Sequence, residues 1–285
     1  MHVQTALLQG TRLLEEAAIA VPRLTAEVLL AHALGRDRIY LFAHSEHELS
    51  ELERLHYGRY LHERLQGKPT QYIIGRQEFY GREFRVTPDV LIPRPETEHV
   101  VETALQLARG ARRILDVGCG SGILAATLCL ETGAAAWASD ISLPALRVAA
   151  QNAARLHAPV RFVACDLASA FAAASMDLIV SNPPYVPLSE QAGLQREVRD
   201  WEPRAALFAG PTGFEIYERL AADAPRVLAP GGWLIMELGY HSRDQVAAIL
   251  SDGWRDVRWI PDLAGIPRVV AARTRRRRRR LVYTE

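Results

Sequence analysis

The spacing of apolar residues divides the chain into a helical first quarter and a longer part in which strands and helices alternate. Over the first 68 residues, leucines and alanines recur at intervals of three and four, and the pattern is interrupted at Pro22, Gly35 and Gly67. This period is typical of short helices with one apolar face. We therefore predict four or five helices over residues 1–68, arranged as a small bundle.

Proline and capping residues set the expected helix boundaries in this quarter. Pro22 is predicted to end the first helix, and a second is expected to start near Thr25. Ser50, followed by Glu53 three residues later, has the spacing of a capping box, so the longest helix is predicted to begin there.

After residue 68 the pattern changes to alternation of apolar and polar residues. This predicts strands over residues 71–75 and 79–86, separated by a turn near Gly75 and Arg76. A β-hairpin over residues 69–92 is the simplest link between the helical quarter and the rest of the chain. Pro95 or Thr97 is then expected to start a helix over residues 100–108.

From residue 112 onward, short apolar runs alternate with helical patterns, which predicts a largely parallel sheet. Six of the seven expected strands lie at residues 113–117, 135–139, 160–165, 176–180, 257–260 and 268–272, and the seventh is the long strand that follows a turn within residues 228–237. Because the carboxyl ends of parallel strands meet at one edge, the residues that come directly after the strands are the candidates for chemistry.

A glycine-rich loop follows the first of these strands. Asp116 lies near the strand end, and Gly118, Cys119, Gly120, Ser121 and Gly122 lead into a helix. Alternate glycines let backbone approach a ligand closely at a helix N-terminus. A dinucleotide fingerprint would have a third glycine at position 123, where isoleucine stands, so a nicotinamide cofactor is disfavoured.

Acidic residues follow the next two strands. Asp140 lies about 20 residues beyond the loop and is placed to accept hydrogen bonds from ribose hydroxyls. Asp140 could instead, or in addition, be the N-cap of the next helix, whose first turn contains Pro144. Asp166 can accept from an exocyclic amine, and Leu167 can cover an adenine face.

The fourth strand ends in Ser181-Asn182-Pro183-Pro184-Tyr185. The two prolines stop both strand pairing and helix formation, and Pro183 keeps Asn182 extended. The Asn182 amide oxygen and the nearby carbonyls then form a cluster of acceptors suited to a planar NH2 group, and Tyr185 adds a flat face. The alternative is a strand followed by a polyproline-like turn without chemistry.

Composition limits the remaining classes. The 285 residues are 49% hydrophobic, so core material is ample. The sequence has no run of about 18 apolar residues. Its start lacks the features of a signal peptide, so a cytoplasmic protein is expected. The three cysteines are expected to be reduced, and no His or Cys spacing predicts a metal site.

The net charge of +1 conceals an asymmetry. Arg273 and residues 275–280 contribute seven positive charges, so the other residues carry about −6. Residues 273–285 are expected to form a solvated, disordered tail. Contact between this tail and a nucleic acid is the alternative, although the tail is not expected to be central to function.

Several segments together resemble a known family. Residues 116–122, with Asp140 and Asp166-Leu167, look like the first motifs of class I S-adenosylmethionine-dependent methyltransferases. Asn182-Pro183-Pro184-Tyr185 resembles the motif of enzymes that methylate planar nitrogens. Residues 69–75, 78–80, 86–88, 91–98 and 262–268 resemble the release factor glutamine methyltransferase family (PrmC or HemK). The arginine run has no counterpart in that family.

The resemblance implies a fold and a division of the chain. It implies a Rossmann-like α/β fold whose seven-stranded, mostly parallel sheet ends in an antiparallel pair. Residues 1–68 would be a helical partner-binding domain, 69–92 a hairpin linker, 93–272 the catalytic domain and 273–285 the tail.

The resemblance also implies an activity. A methyl group would pass from S-adenosyl-L-methionine to the glutamine amide of the Gly-Gly-Gln loop in class 1 peptide chain release factors, leaving S-adenosyl-L-homocysteine. The implied cofactor residues are Asp116, Gly118, Cys119, Gly120, Ser121, Gly122, Asp140, Asp166, Leu167 and Asn182. Asn182, Pro183 and Tyr185 would be catalytic, and residues 182–185 would bind the substrate amide.

Two other functions stay open at this point. A DNA adenine N6-methyltransferase would share the Asn-Pro-Pro-Tyr motif, but it would need a basic face to bind DNA, and the body of this chain is acidic. A cofactor-sensing or RNA-binding module dominated by its arginine tail is the third hypothesis.

Overall fold

The computed structural model describes residues 1–274. Most of the described chain lies in regular elements. The helices are α1 (Val3–Glu16), α2 (Pro22–Leu34), α3 (Arg38–Ala43), α4 (Glu51–Leu65), α5 (Thr70–Ile74), α6 (Glu98–Leu107), α7 (Ile123–Thr132), α8 (Leu143–Arg155), α9 (Arg196–Trp201), α10 (Arg204–Leu207), α11 (Glu215–Val227) and α12 (Arg243–Ile249). Two 3-10 stretches occur at Pro95–Thr97 and Leu188–Gly193.

The strands form one large sheet and two small ones. They are β1 (Arg76–Phe79), β2 (Arg82–Arg85), β3 (Arg113–Val117), β4 (Ala135–Asp140), β5 (Val160–Ala164), β6 (Met176–Ser181), β7 (Val186–Pro187), β8 (Phe208–Gly210), β9 (Leu228–Glu237), β10 (Trp254–Pro261) and β11 (Pro267–Thr274). No helix within residues 1–274 is both long and apolar enough to cross a membrane.

The chain forms two compact units. The helical unit comprises Met1–Arg76 together with Leu194–Trp201, and the sheet unit comprises Gln77–Gly193 and the residues from Glu202 onward. In the helical unit, Leu14 of α1, Leu29 and Leu30 of α2 and Leu61 of α4 belong to one apolar core. A buried arginine, Arg64 of α4, is neutralised by an ion pair with Glu197 of α9.

Two expectations about helix boundaries have different outcomes. The capping box is confirmed, because Ser50 Oγ accepts from the Glu53 backbone N–H while Glu53 accepts from the Ser50 N–H. The prediction that Pro22 ends the first helix is wrong. Pro22 is instead the first residue of α2, where its missing N–H leaves no hydrogen bond unmade.

Replacing Ser50 with alanine is expected to destabilise α4 by about 1 kcal/mol, because the first-turn N–H of Glu53 loses its acceptor. The expected result is faster hydrogen–deuterium exchange at the start of α4 and an earlier urea transition of the helical unit. Ser251→Ala is the matched control, since Ser251 is exposed and lies outside any helix. Equal effects of the two substitutions would contradict the assignment.

The hairpin lies further along the chain than predicted. Of residues 71–75, expected as a strand, 71–74 are helical: α5 follows Pro69 and ends at Ile74, and its C-cap Gly75 adopts a left-handed conformation with φ of 73°. The turn is instead at Tyr80 and Gly81, which both have positive φ, as a two-residue I′ turn requires. The apolar residues 72–74 therefore belong to a short helix flanked by Pro69 and Gly75, and not to a strand.

The large sheet has the order β10-β11-β9-β6-β3-β4-β5. Strands β9, β6, β3, β4 and β5 are parallel, whereas β11 is antiparallel to both β9 and β10. The chain adds β4 and β5 on one side of β3 and then returns to place β6 on the other. This reversal beside β3 is where open α/β sheets bind ligands. The predicted seven-stranded, mostly parallel sheet is confirmed.

Both faces of the sheet are covered. Side chains of β9 alternate, so that Leu234 and Met236 pack with α11 and Ile235 packs with α6 and α7. The final strand extends two residues beyond its predicted end and includes Arg273, which pairs with Trp233 of β9. Residues 275–280, the rest of the arginine run, lie outside the described part of the chain.

Candidate active site

A cavity of about 250 Å³ opens at the carboxyl edge of the sheet, beside the point where the strand order reverses. Most of the predicted site residues line it. They are Asp116, Gly118, Cys119, Gly120, Ser121, Asp140, Asp166, Leu167, Asn182 and Pro184. Gly122, Pro183 and Tyr185 do not line this cavity.

The glycine loop bends where β3 passes into α7. Gly120 has a φ of 52°, and a Cβ atom built on it would meet no protein atom within 4 Å, so this backbone faces open space. Gly122 has a φ of 80°, and a Cβ there would lie 3.0 Å from the Cβ of Ala149 in α8. One glycine therefore exposes the loop to the cavity, and the other lets α8 pack closely behind it.

Asp116 is a buried carboxyl group with one unsatisfied oxygen. Its Oδ2 accepts from the Ala125 backbone N–H at 3.0 Å, whereas Oδ1 is buried without a hydrogen-bond partner among residues 1–274. Burial raises the pKa of Asp116 to about 7, and the nearby Asp140 charge adds to this. A buried acceptor that lacks a donor fits a cationic ligand group such as an ammonium.

Asp140 holds the backbone on both sides of itself. Its Oδ2 accepts from the Gly120 N–H and its Oδ1 from the Ser142 N–H, each at 2.9 Å. The alternative that Asp140 caps the next helix is wrong, because Ser142 is the N-cap of α8 and accepts from the Ala145 N–H. Each Asp140 oxygen has further lone-pair capacity for a ligand hydroxyl.

Asp166 and Leu167 lie at the outer side of the cavity. Asp166 is half-exposed and pairs with Arg219 of α11 at 2.5 Å. Leu167 has a φ of 49°, which is unfavourable for a branched side chain, and its carbonyl is held by hydrogen bonds from Ser139 Oγ and Cys165 Sγ. The strained turn fixes the Leu167 side chain at the cavity wall.

Asn182 projects from the end of β6. The strand is held beside β3 by a 2.7 Å hydrogen bond from Ser181 Oγ to the Val117 carbonyl. The Asn182 Nδ2 donates to Thr97 Oγ1 at 3.1 Å, and Oδ1 accepts no hydrogen bond from the described residues. The amide oxygen is therefore available as an acceptor at the cavity.

Tyr185 contacts a buried acid instead of lining the cavity. Its hydroxyl donates to Glu237 Oε1 at 3.4 Å, and its ring packs beside Gly239. Burial and the Glu237 charge raise the pKa of Tyr185, so the phenol stays neutral. The role predicted for Tyr185 against the target amide stays a prediction.

Two charged residues near the start of α6 make contacts within the protein. Arg94 pairs with the buried Glu202 at 2.5 Å, and Glu98 accepts from the Tyr80 N–H at 2.8 Å. Both side chains are therefore engaged in structural contacts. They hold residues 94–98 in place within the sheet unit.

Sequence reasoning missed three residues of this region. Ile141, which follows Asp140, is exposed yet lines the cavity, where it offers an apolar surface to a ligand. Thr97 is predicted from the sequence as a helix start, but its side chain caps no helix. Glu237 is a nearly fully buried acid. Its position at the end of an apolar strand is the sequence feature that could have identified it as a site residue.

Within residues 1–274, no group of three or more His, Cys, Asp or Glu side chains is arranged to hold a metal ion. The three cysteines form no disulfide. Burial raises the pKa of Cys119 well above its usual value, so this thiol in the glycine loop stays protonated and is not a nucleophile.

Comparison with known proteins adds independent findings. The family model described as PrmC N-terminal domain matches residues 5–75, and the one described as methyltransferase small domain matches residues 97–197. The chain is 48% identical over 277 residues to a release factor glutamine methyltransferase of Koribacter versatilis, covering 96% of this chain and 99% of that protein. A protein of the same name from Nitratidesulfovibrio vulgaris is 42% identical, covering 95% of each chain.

Among solved structures, a methyltransferase from Pyrococcus furiosus is similar in fold, with a TM-score of 0.52 and 18% identity, covering 69% of this chain and 90% of that one. The sheet order with its reversal beside β3 defines a Rossmann-like fold. The match to the methyltransferase small domain and the identity to the curated relatives make the chain a Rossmann-like methyltransferase.

The identity to the curated relatives extends over nearly the whole chain and so goes beyond a shared fold. The chain belongs to the release factor glutamine methyltransferase family.

Proposed function

We propose that this protein transfers a methyl group from S-adenosyl-L-methionine to the side-chain amide nitrogen of a glutamine in peptide chain release factors. The glutamine is that of the Gly-Gly-Gln loop, and the reaction takes place in the cytoplasm. The observation that carries the proposal is the Asn182 amide at the cavity, whose nitrogen donates to Thr97 and whose oxygen accepts no hydrogen bond from residues 1–274.

The residues of the cavity fit this cofactor. The unpaired Oδ1 of Asp116 suits the ammonium of its methionine part, and the carboxylate of Asp140 suits two ribose hydroxyls. Ile141 and Leu167 offer apolar surface for an adenine. When bound, the cofactor supplies an electrophilic methyl group on a positively charged sulfur.

The residues after β6 would orient the substrate amide. An amide nitrogen is a poor nucleophile because its lone pair is delocalised into the carbonyl. Asn182 Oδ1 and the Pro183 carbonyl would accept its two N–H bonds, which aims the nitrogen and stabilises the positive charge that develops on it. The nitrogen can lose its proton after the transfer, so no strong base is required.

The cavity is also lined by Pro203, the N-cap of α10, and by Ala205 and Ala206 within this short helix. These small apolar side chains would exclude water from the reacting groups.

Family membership and charge both favour a protein substrate over DNA. The curated relatives are named for release factors, and the residues other than the arginine run carry a net negative charge, which would repel a phosphate backbone. A DNA adenine methyltransferase needs a basic face, and the acidic body opposes one.

The test is transfer of label from radioactive S-adenosyl-L-methionine to a purified release factor, to the same release factor with its Gly-Gly-Gln glutamine changed to glutamate, and to duplex DNA. We expect label only in the unchanged release factor. Label in DNA alone would overturn the proposal, and equal label in both release factors would overturn the choice of residue. Removal of residues 275–285 should leave the methyl transfer intact. If the shortened protein no longer bound RNA but still transferred the methyl group, the tail would have a separate role in binding RNA.

A further inference from the structure

Three polar side chains from distant parts of the sequence meet behind Asn182. Thr97 Oγ1 lies 2.5 Å from Glu237 Oε2, at the end of β9, and 3.1 Å from Asn182 Nδ2, at the end of β6. Thr97 is fully buried and Glu237 is 2% exposed. Neither residue is needed as a helix cap, so their pairing is not explained by local structure.

The hydroxyl of Thr97 has one proton, which determines the direction of both hydrogen bonds. An ionised carboxylate only accepts, so Thr97 must donate to Glu237. Thr97 can then only accept from Asn182, and the acceptor atom must meet the NH2 end of the amide. The Asn182 Oδ1 is thereby directed away from Thr97, towards the cavity.

We propose that Thr97 and Glu237 are positioning residues that hold the Asn182 side chain in the one amide orientation able to accept from the substrate. An asparagine amide rotated by 180° has nearly the same shape, so packing alone does not distinguish the two orientations. The rotated form would present NH2 to the NH2 of the substrate. This inference rests on the proposed function.

Glu237 also anchors the phenol of Tyr185, through its second carboxylate oxygen. Its backbone carbonyl accepts from Tyr217 at 2.9 Å, and the same Tyr217 hydroxyl accepts from the Gly239 N–H. One buried acid thus ties β9, α11 and the residues after β6 into a single network. The network is satisfied only while Glu237 is an acceptor.

The protonation of Glu237 is expected to control this orientation. Burial raises the pKa of Glu237 to about 7, and repulsion from Glu96 adds to this, while the Thr97 and Tyr185 hydrogen bonds and the Arg268 charge oppose it. Tyr217 and Arg94, the latter near Tyr185, are the other titratable or charged groups around it. Protonated Glu237 can donate to Thr97, which frees the threonine hydroxyl to donate to Asn182 Oδ1.

A pair of substitutions separates orientation from packing. Thr97→Val keeps the side-chain volume and removes the hydroxyl, whereas Thr97→Ser keeps the hydroxyl and removes a methyl group. We expect kcat on the release factor to fall by about tenfold or more in Thr97→Val, as loss of one hydrogen bond allows, with Thr97→Ser the more active of the two. The dissociation constant for the cofactor should change little in either. If Thr97 only fills space, Thr97→Ser will be the more damaged variant, and the proposal fails.

The second readout does not depend on turnover. In protein labelled with 15N-asparagine, the chain has two asparagines, so the Asn182 side-chain NH2 signal is assigned by its absence in Asn182→Ala. We expect that signal to shift in Thr97→Val and to persist in Thr97→Ser. An unchanged signal in Thr97→Val would overturn the positioning role even if activity falls. A shifted signal with a wild type that methylates no release factor would refute the proposed function and leave the positioning role standing.

The pH dependence gives a third test. At saturating cofactor, where the Asp116 ionisation is not expected to limit turnover, kcat of the wild type should fall as the pH decreases through about 7. In Glu237→Gln this limb should be absent, because the amide cannot ionise. Persistence of the same limb in Glu237→Gln would contradict control by this acid.

Discussion

Asn182→Ala is expected to lower kcat on the release factor by roughly 100- to 1000-fold, the range seen when one preorganised polar group in an active site is removed. Affinity for S-adenosyl-L-methionine should change by no more than a few fold, because Asp116, Asp140 and the glycine loop are untouched. The physical reason is that Asn182 Oδ1 is the free acceptor at the cavity, which the substrate amide needs in order to be aimed. Single-turnover kinetics and calorimetry measure the two quantities separately.

Asn152→Ala is a matched control, since it makes the same chemical change elsewhere in the sheet unit. Asn152 Nδ2 donates to the Ser121 and Arg85 carbonyls, and Oδ1 accepts from the Arg85 N–H, so this residue supports the glycine loop. We expect its loss to reduce stability and cofactor affinity more than kcat at saturation. If Asn182→Ala weakened cofactor binding as much as it slowed turnover, its assigned role would be wrong.

Asp140→Ala is expected to raise the dissociation constant for S-adenosyl-L-methionine by about 10- to 100-fold, because two charge-assisted hydrogen bonds to the ribose would be lost. The substitution also removes the acceptor of the Gly120 N–H, which loosens the loop in the same direction. Turnover at saturating cofactor should fall much less. Calorimetric titration of the cofactor gives the constant directly.

Ser142→Ala is the control for Asp140, because it removes the α8 cap while it leaves the carboxylate in place. A small loss of stability without a change in cofactor affinity is expected. A dissociation constant that stays unchanged in Asp140→Ala would limit this residue to holding the backbone around it.

The sheet unit was more predictable than the helical unit for a physical reason. Buried parallel strands are continuous apolar runs, and β3 was predicted to the residue, with a helix after the glycine loop that follows it. Residues 72–74 are also apolar, but in a short segment a strand and a helix share that pattern. Pro69 and Gly75 bound this segment as the helix α5, and the turn of the hairpin lies at Tyr80 and Gly81.

The candidate site shows the same division between local and distant information. Strand-end residues such as Asp116, Asp140 and Asn182 could be predicted to meet, since parallel strands place their carboxyl ends at one edge. The Thr97–Glu237 pair joins residues 140 positions apart, and the local sequence around either residue does not indicate its partner. The sequence around Thr97 predicts a helix start because threonine before an acidic residue is also the pattern of a cap.

The most direct measurement of the proposed reaction is peptide mass spectrometry of a release factor after incubation with this protein and S-adenosyl-L-methionine. We predict one added methyl group on the Gly-Gly-Gln glutamine, located by fragmentation to the side-chain amide, and almost none with Asn182→Ala. A methyl group on another residue type would contradict the proposed reaction, and an equal yield with Asn182→Ala would contradict the role of Asn182 in it.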